Sequence, residues 1–271
     1  MTQEQTQVTF TGLDRQRALK YFEDSQFDSR CLEIWHQTMP GAIERIQPAV
    51  IGLPQPELEN WLRKLHNSPQ AKLYRSDLNR LAGTVFEHLA LSYFITQNTD
   101  GQKTLYETSV VFDEILRILG VHPELSIKPH QNNGYFGTSI SWQDRGVLII
   151  PDGFIGSTNS DKTQIVISEL LESQLTGRSK NPTPFTRLAE FLYSNPEILA
   201  RLSLLLSGVD SAQLAHPSQL RHLLLVPADI SDDDIQMMEK RGWKVTKTSL
   251  NRQDAFDKTV SILRSFPPQA A

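Results

Sequence analysis

Hydrophobic positions follow a helical spacing through about residue 120 and gather into strand-like runs from Val147 onward. Leu13, Ala18, Leu19, Tyr21 and Phe22 mark one short amphipathic stretch, and Leu32, Ile34 and Trp35 mark another. Pro40, Pro48, Pro54 and Pro56 break this pattern into turns. Pro56 and Glu57 then open a helix through Leu58, Trp61, Leu62 and Leu65, with proline suited to the first helical position. A longer helix is expected from Ser76 as N-cap, with Asp77 facing the helix dipole and Leu78, Ala82, Val85, Leu89 and Tyr93 on its apolar side. A further helix is expected over 104–119, stopped by Gly120. The segment 122–142, rich in Pro, Asn and Gly, reads as a loop with one irregular strand.

Beyond it, 147–150 is a continuous apolar run, extended by Phe154 and Ile155 past Pro151-Asp152-Gly153. A polar turn over 157–162 leads to a second run, 165–171. Such runs between turn signals suit central strands. Helical spacing returns over 185–206, and then strand 222–226, helix 232–241, strand 243–248 and helix 253–266 alternate. Alternation of this kind predicts an α/β sheet with at least one parallel crossover. The expected division is a helical N-terminal region, 1–75, and an α/β domain, 76–271.

Composition narrows the function classes. With 27 Lys and Arg against 31 Asp and Glu, the net charge is −4, so a phosphate-rich partner must be met by a local patch. A single cysteine, Cys31, excludes a disulfide framework or a cysteine-rich metal site and reads as a buried small hydrophobe. The longest apolar stretch, 198–206, is interrupted by Arg201 and falls short of the roughly 18 residues of a spanning helix, so no membrane partner is expected. The first ten residues lack the basic start and apolar core of a signal peptide, which makes a cytoplasmic address the expectation.

Three acidic positions stand out by placement. Asp152 follows the first apolar run, where Pro151 and Gly153 bend the chain, although Pro-Asp-Gly alone is an ordinary turn. Glu172 and Gln174 end the second run and share one strand face. If the runs pair as a hairpin, Asp152 and Glu172 converge into an oxygen-rich site suited to Mg²⁺. Glu169 is a rival acidic position, but alternation groups it with Ile165, Ile167 and Leu171, and Val166, Ser168, Leu170 and Glu172 with Gln174; a bulge would reverse this choice. Glu87 has Gly83, Thr84, Ala90 and Leu91 as helical neighbours, none basic, so no intrahelical ion pair accounts for it.

Gly83 and Glu87 as GxxxE on a helix, Asp152 in PDG, and Glu172-x-Gln174 at a strand end resemble the PD-(D/E)XK nuclease superfamily over residues 76–250. The resemblance implies a restriction-endonuclease-like α/β fold, a mixed central sheet flanked by helices, and metal-dependent hydrolysis of phosphodiester bonds in DNA. It implies that Asp152, Glu172 and the carbonyl of Ser173 bind Mg²⁺ or Mn²⁺, with Glu87 supporting the metal or its waters. Arg178, Lys180 and Arg187, just after the site, would then hold the nucleic-acid backbone. Similar cutters often work as homodimers. Gln174 stands where the family usually carries Lys, and glutamine can donate a hydrogen bond but cannot take up a proton. That departure keeps a catalytically inactive binder of nucleic acid or of a protein partner as the alternative.

Overall fold

A computed structural model describes residues 12–13, 26–54, 57, 69–97, 103–132, 135–159, 161, 163–176 and 181–266. The expected elements over 14–22 and 58–65, and the basic residues Arg178 and Lys180, lie outside them.

The chain is mixed α/β. A seven-stranded mixed sheet is ordered β1 (Gly12–Leu13), β2 (Thr104–Glu107), β6 (Gly153–Thr158), β7 (Ile165–Ser173), β9 (Arg221–Val226), β10 (Lys244–Lys247), with β8 (Ala212–Leu214) also beside β7. The β2–β6–β7 pairs are antiparallel, whereas β7–β8, β7–β9 and β9–β10 are parallel. The expected crossover is therefore present: α7 (Asp232–Lys240) joins the parallel strands β9 and β10. A second, antiparallel sheet holds β3 (Leu125–Asn132), β4 (Tyr135–Trp142) and β5 (Gly146–Leu148).

Helices among the described residues also include α1 (Gln26–Thr38), α2 (Pro40–Gly52), α3 (Pro69–Gln97), α4 (Phe112–Gly120), α5 (Thr183–Ser194), α6 (Pro196–Ser207) and α8 (Arg252–Ser265). One face of the large sheet, through Phe154, Leu170 and Leu224, packs with α4, α5, α6 and the small sheet. The other face, through Ile155, Leu171, Leu223 and Leu225, packs against Ala82, Phe86 and Leu91 of α3. A third cluster joins α1, α2 and α3 to Val260, Ile262 and Leu263 of α8.

Several expected elements take another form. Pro40 opens α2 rather than breaking a helix, and Pro48 lies inside it. Ser76 is no cap, since α3 begins at Pro69 and runs through the expected 75/76 division. Asp77 is fully buried and bound by Arg45 at 2.7 and 3.0 Å, so its charge answers a guanidinium and not the helix dipole. The expected helix over 104–119 starts as a strand: β2 pairs with β6, a short 3-10 turn follows, and α4 forms only from Phe112. The segment 122–142, expected as a loop with one irregular strand, carries the β3–β4 hairpin. Of the run 147–150 only Val147 and Leu148 enter a strand, the short third one of the small sheet rather than a central one, with Val147 and Ile149 exposed.

Candidate functional site

The β6–β7 hairpin positions the acidic residues. Its register pairs Gly153 with Leu171 and Ile155 with Glu169, then shifts so that Gly156 faces Ile167. The extra residue, Ser168, is a bulge, and bulges re-aim the side chains beyond them. Gly156 permits it, because a Cβ there would stand 2.8 Å from the Val166 carbonyl oxygen. Ile165 and Ile167 therefore share a core with Leu170, while Leu171 faces α3. The simple alternation expected from the sequence does not run through position 168.

Glu169 falls on the α3 side of the sheet and is nearly fully buried, held by Lys103 at 2.9 Å and by Arg221. Its charge is answered by two cations within the fold. Glu172 is also buried, and its register partner across β9, Leu224, belongs to the opposite core. The β6–β7 ladder ends at the Gly153–Leu171 pair, one residue short of both Asp152 and Glu172. Asp152 lies outside the strand. Its Oδ2 accepts from the Ser173 backbone N–H at 2.7 Å and from the Ser173 hydroxyl at 2.8 Å. The Thr108 N–H donates to the Asp152 carbonyl at 3.2 Å, and the Thr108 hydroxyl to the Pro151 carbonyl at 2.5 Å, so the Pro-Asp-Gly bend is fixed from both sides.

This bend opens onto a cleft of about 360 Å³ between α3 and the ends of β6 and β7. Glu87 and Asp152 both line it, with Ser173, Gln174 and Thr176 on the sheet side. Glu172 is not among its lining residues. The α3 wall consists of Asn79, Arg80, Gly83, Thr84 and Glu87, spaced three and four apart on one helix face. Gly83 makes the room: a Cβ built there meets nothing within 4 Å. A glycine inside a helix costs about 1 kcal/mol against alanine, and no close packing here requires it.

The neighbour of Glu87 has a different surrounding. His88 is 2% exposed, and its Nδ1 lies 3.0 Å from Oε1 of Glu107. Glu107 also receives the Ser109 hydroxyl at 2.7 Å and the Arg30 guanidinium at 2.9 Å. Burial pushes the Glu107 carboxyl up, but His88, Arg30 and Ser109 outweigh it and hold the group at about 2. Burial likewise pushes the Cys31 thiol up to about 12, in keeping with the expected inert hydrophobe.

Arg187 lies on α5, across the sheet from the cleft, with its guanidinium against Gly146. Arg80, Asn79 and Thr84 are cleft residues that the sequence reading passed over. Their signal was present, since positions 80, 83, 84 and 87 recur on one helix face.

Among the described residues, no group of three or more His, Cys, Asp or Glu is placed to hold a metal ion. The oxygens that the cleft does offer are hard ones: two carboxylates, hydroxyls and backbone carbonyls. The Gln174 amide oxygen adds one that is buried without a hydrogen-bond partner among the described residues. That donor set fits Mg²⁺, which typically uses one or two carboxylates and keeps waters or substrate oxygens in its remaining positions. No described helix is long and apolar enough to cross a membrane. Comparison with protein-family models, curated proteins and solved structures finds no match for the chain.

Proposed function

We propose that the cleft between α3 and the β6–β7 ends is the site of a metal-dependent phosphodiester hydrolase of restriction-endonuclease-like type, acting on DNA. The observation that carries this reading is the meeting of Glu87 and Asp152, from separate elements, in one cleft with Ser173 and Gln174. Glu87 and Asp152 would hold Mg²⁺, joined by oxygens of Ser173 or Gln174. The ion, when bound, supplies charge to the phosphoryl oxygens and acidifies the attacking water. Ser173 fixes the Asp152 carboxylate by holding Oδ2 with two hydrogen bonds. Arg80 offers a guanidinium to the phosphate, where two parallel hydrogen bonds orient as well as attract. Gln174 orients a water or phosphate oxygen through its amide and carries no proton itself.

Calorimetric titration with Mn²⁺ and plasmid cutting in Mg²⁺ test the reading together. Both are expected in the wild type and lost in Asp152→Ala with an unchanged circular dichroism spectrum. Glu172→Gln, outside the cleft, is expected to retain Mn²⁺ binding. Undiminished cutting by Asp152→Ala removes the cleft from the chemistry. Gln174, in the place where the resembled family carries its lysine, favours a second reading, a nuclease-like scaffold that binds nucleic acid without cutting it. DNA binding that is indifferent to Mn²⁺ and accompanied by no cleavage selects that second reading.

A further inference from the structure

On the opposite side of the large sheet, a cavity of about 430 Å³ opens between α5, the turn before β5 and the turn at 216–218. Its volume lies within the roughly 300–1,000 Å³ range of small-ligand sites. Arg145, Glu190, Tyr193, Ser194, His216 and Ser218 carry its chemistry. Arg145 and Glu190 line the same cavity, yet neither forms an ion pair among the described residues. Opposite charges left facing one space without pairing suit a ligand that brings an anion to one and hydrogen-bond donors to the other.

Arg145 is held in place. Its guanidinium lies 4.3 Å over the Trp142 ring, and that ring is buried and anchored through its N–H to Glu124 at 2.9 Å. The turn that carries Arg145 is conformationally costly: Gln143 has φ 30° and Gly146 has φ 100°. Non-glycine residues rarely hold the first of these, and such positions concentrate at binding sites. A Cβ at position 146 would meet the Arg187 guanidinium at 2.9 Å, so a second cation backs the same turn.

On the other wall, His216 Nδ1 accepts the Ser218 backbone N–H at 3.3 Å, with the Ser218 hydroxyl 2.7 Å away. An accepting Nδ1 places the proton of the neutral ring on Nε2, which makes that nitrogen a donor. Tyr193, 49% exposed, sets its ring edge-to-face with His216 at 5.2 Å. One wall thus supplies a cation, the other an exposed aromatic ring beside an imidazole donor and hydroxyls.

We infer that this cavity binds a nucleotide, with phosphate on Arg145 and the His216–Ser218 turn and the base stacked on Tyr193. Glu190 accepts from the base amino group or the ribose hydroxyls. The inference is independent of the cleft, since no residue lines both cavities.

The test is calorimetry on the full chain with AMP, adenosine, inorganic phosphate and a 5′-phosphorylated tetranucleotide. AMP is expected to bind about tenfold or more tightly than adenosine or phosphate alone, because the two halves of the ligand are held together. Arg145→Gln is expected to weaken AMP by about tenfold, the loss of one charge-assisted contact. Tyr193→Ala weakens AMP and adenosine and leaves phosphate unchanged. Both side chains are exposed, so the fold stays intact. The tetranucleotide identifies the source: refusal marks a free nucleotide, and affinity equal to that for AMP marks a strand end. No heat at roughly millimolar AMP, or AMP affinity unchanged in Arg145→Gln, overturns the inference.

Discussion

Two adjacent residues on α3, Glu87 and His88, belong to opposite uses of charge. His88 joins a closed network in which Glu107 is buried and held by an imidazole, a guanidinium and a hydroxyl. Glu87 lines a cleft in which Gly83 leaves unfilled space and in which one oxygen of Asp152 is bound twice by Ser173. The first arrangement ties α1, α3 and β2 together. The second fixes a carboxylate and keeps the space before it open. Burial alone therefore does not mark a site, since Glu107 is more enclosed than anything in the cleft; what distinguishes the cleft is vacant volume beside a fixed charge.

The largest expected effect comes from breaking the closed network. Glu107→Ala removes the carboxylate that Arg30 and His88 both contact and is expected to cost about 3–5 kcal/mol in urea unfolding. A loss below about 1 kcal/mol would show that the network is an ordinary surface pairing. Acid probes the same group without mutation. Its folded-state value of about 2 lies below the ordinary carboxyl value of 4.5, so its contribution is complete above pH 4.5 and disappears as pH falls toward 2. Stability measured across that window should drop in the wild type and flatten in Glu107→Gln.

Smaller effects are expected in the cleft, with function moving more than stability. Asp152→Asn weakens the two Ser173 contacts and is expected to cost about 1 kcal/mol, while Mn²⁺ heat disappears. Substitutions at Gly83 carry the sharpest signature, because stability and binding respond to different side-chain sizes. In Gly83→Ala a methyl group meets no obstruction, so stability should rise by about 0.5–1 kcal/mol. Gly83→Leu, reaching further into the space, should weaken DNA binding. If DNA binding survives Gly83→Leu unchanged, the vacancy over Gly83 serves no ligand.

Much of the second half of the chain was legible because its apolar runs are bounded by clear turn residues. Strand 222–226, helix 232–241 and helix 253–266 appear within one or two residues of expectation. Ser231 and Asn251 supply the side-chain caps that locate those two helices. The first half misled for physical reasons. Four-residue β2 is too short to show alternation before the strong amphipathic pattern of α4 takes over. Ser76-Asp77 imitates a helix start, but the carboxylate is satisfied by Arg45, 32 residues away in sequence, which no local pattern reveals. The small-sheet hairpin did have a signal, the Asn133-Gly134 pair between two extended runs. Within the site, Glu87, Asp152 and Gln174 could be picked out by spacing, whereas the position of Glu172 depends on a bulge. That bulge is written in a glycine on the neighbouring strand, not in β7 itself.

The last helix completes the first core. Val260, Ile262 and Leu263 of α8 pack among Trp35, Ile43, Ile46 and Val85, and Gln47 donates to the carbonyls of Leu263 and Phe266 at 3.2 and 2.6 Å. Arg264 returns the tie, reaching the carbonyls of Val50 and Leu53. During synthesis α1–α3 must therefore wait, greasy side outward, for α8 to leave the ribosome. A chain cut short before α8 would present to quality-control proteases a translated α/β sheet and helices α1–α3 with nothing to close against.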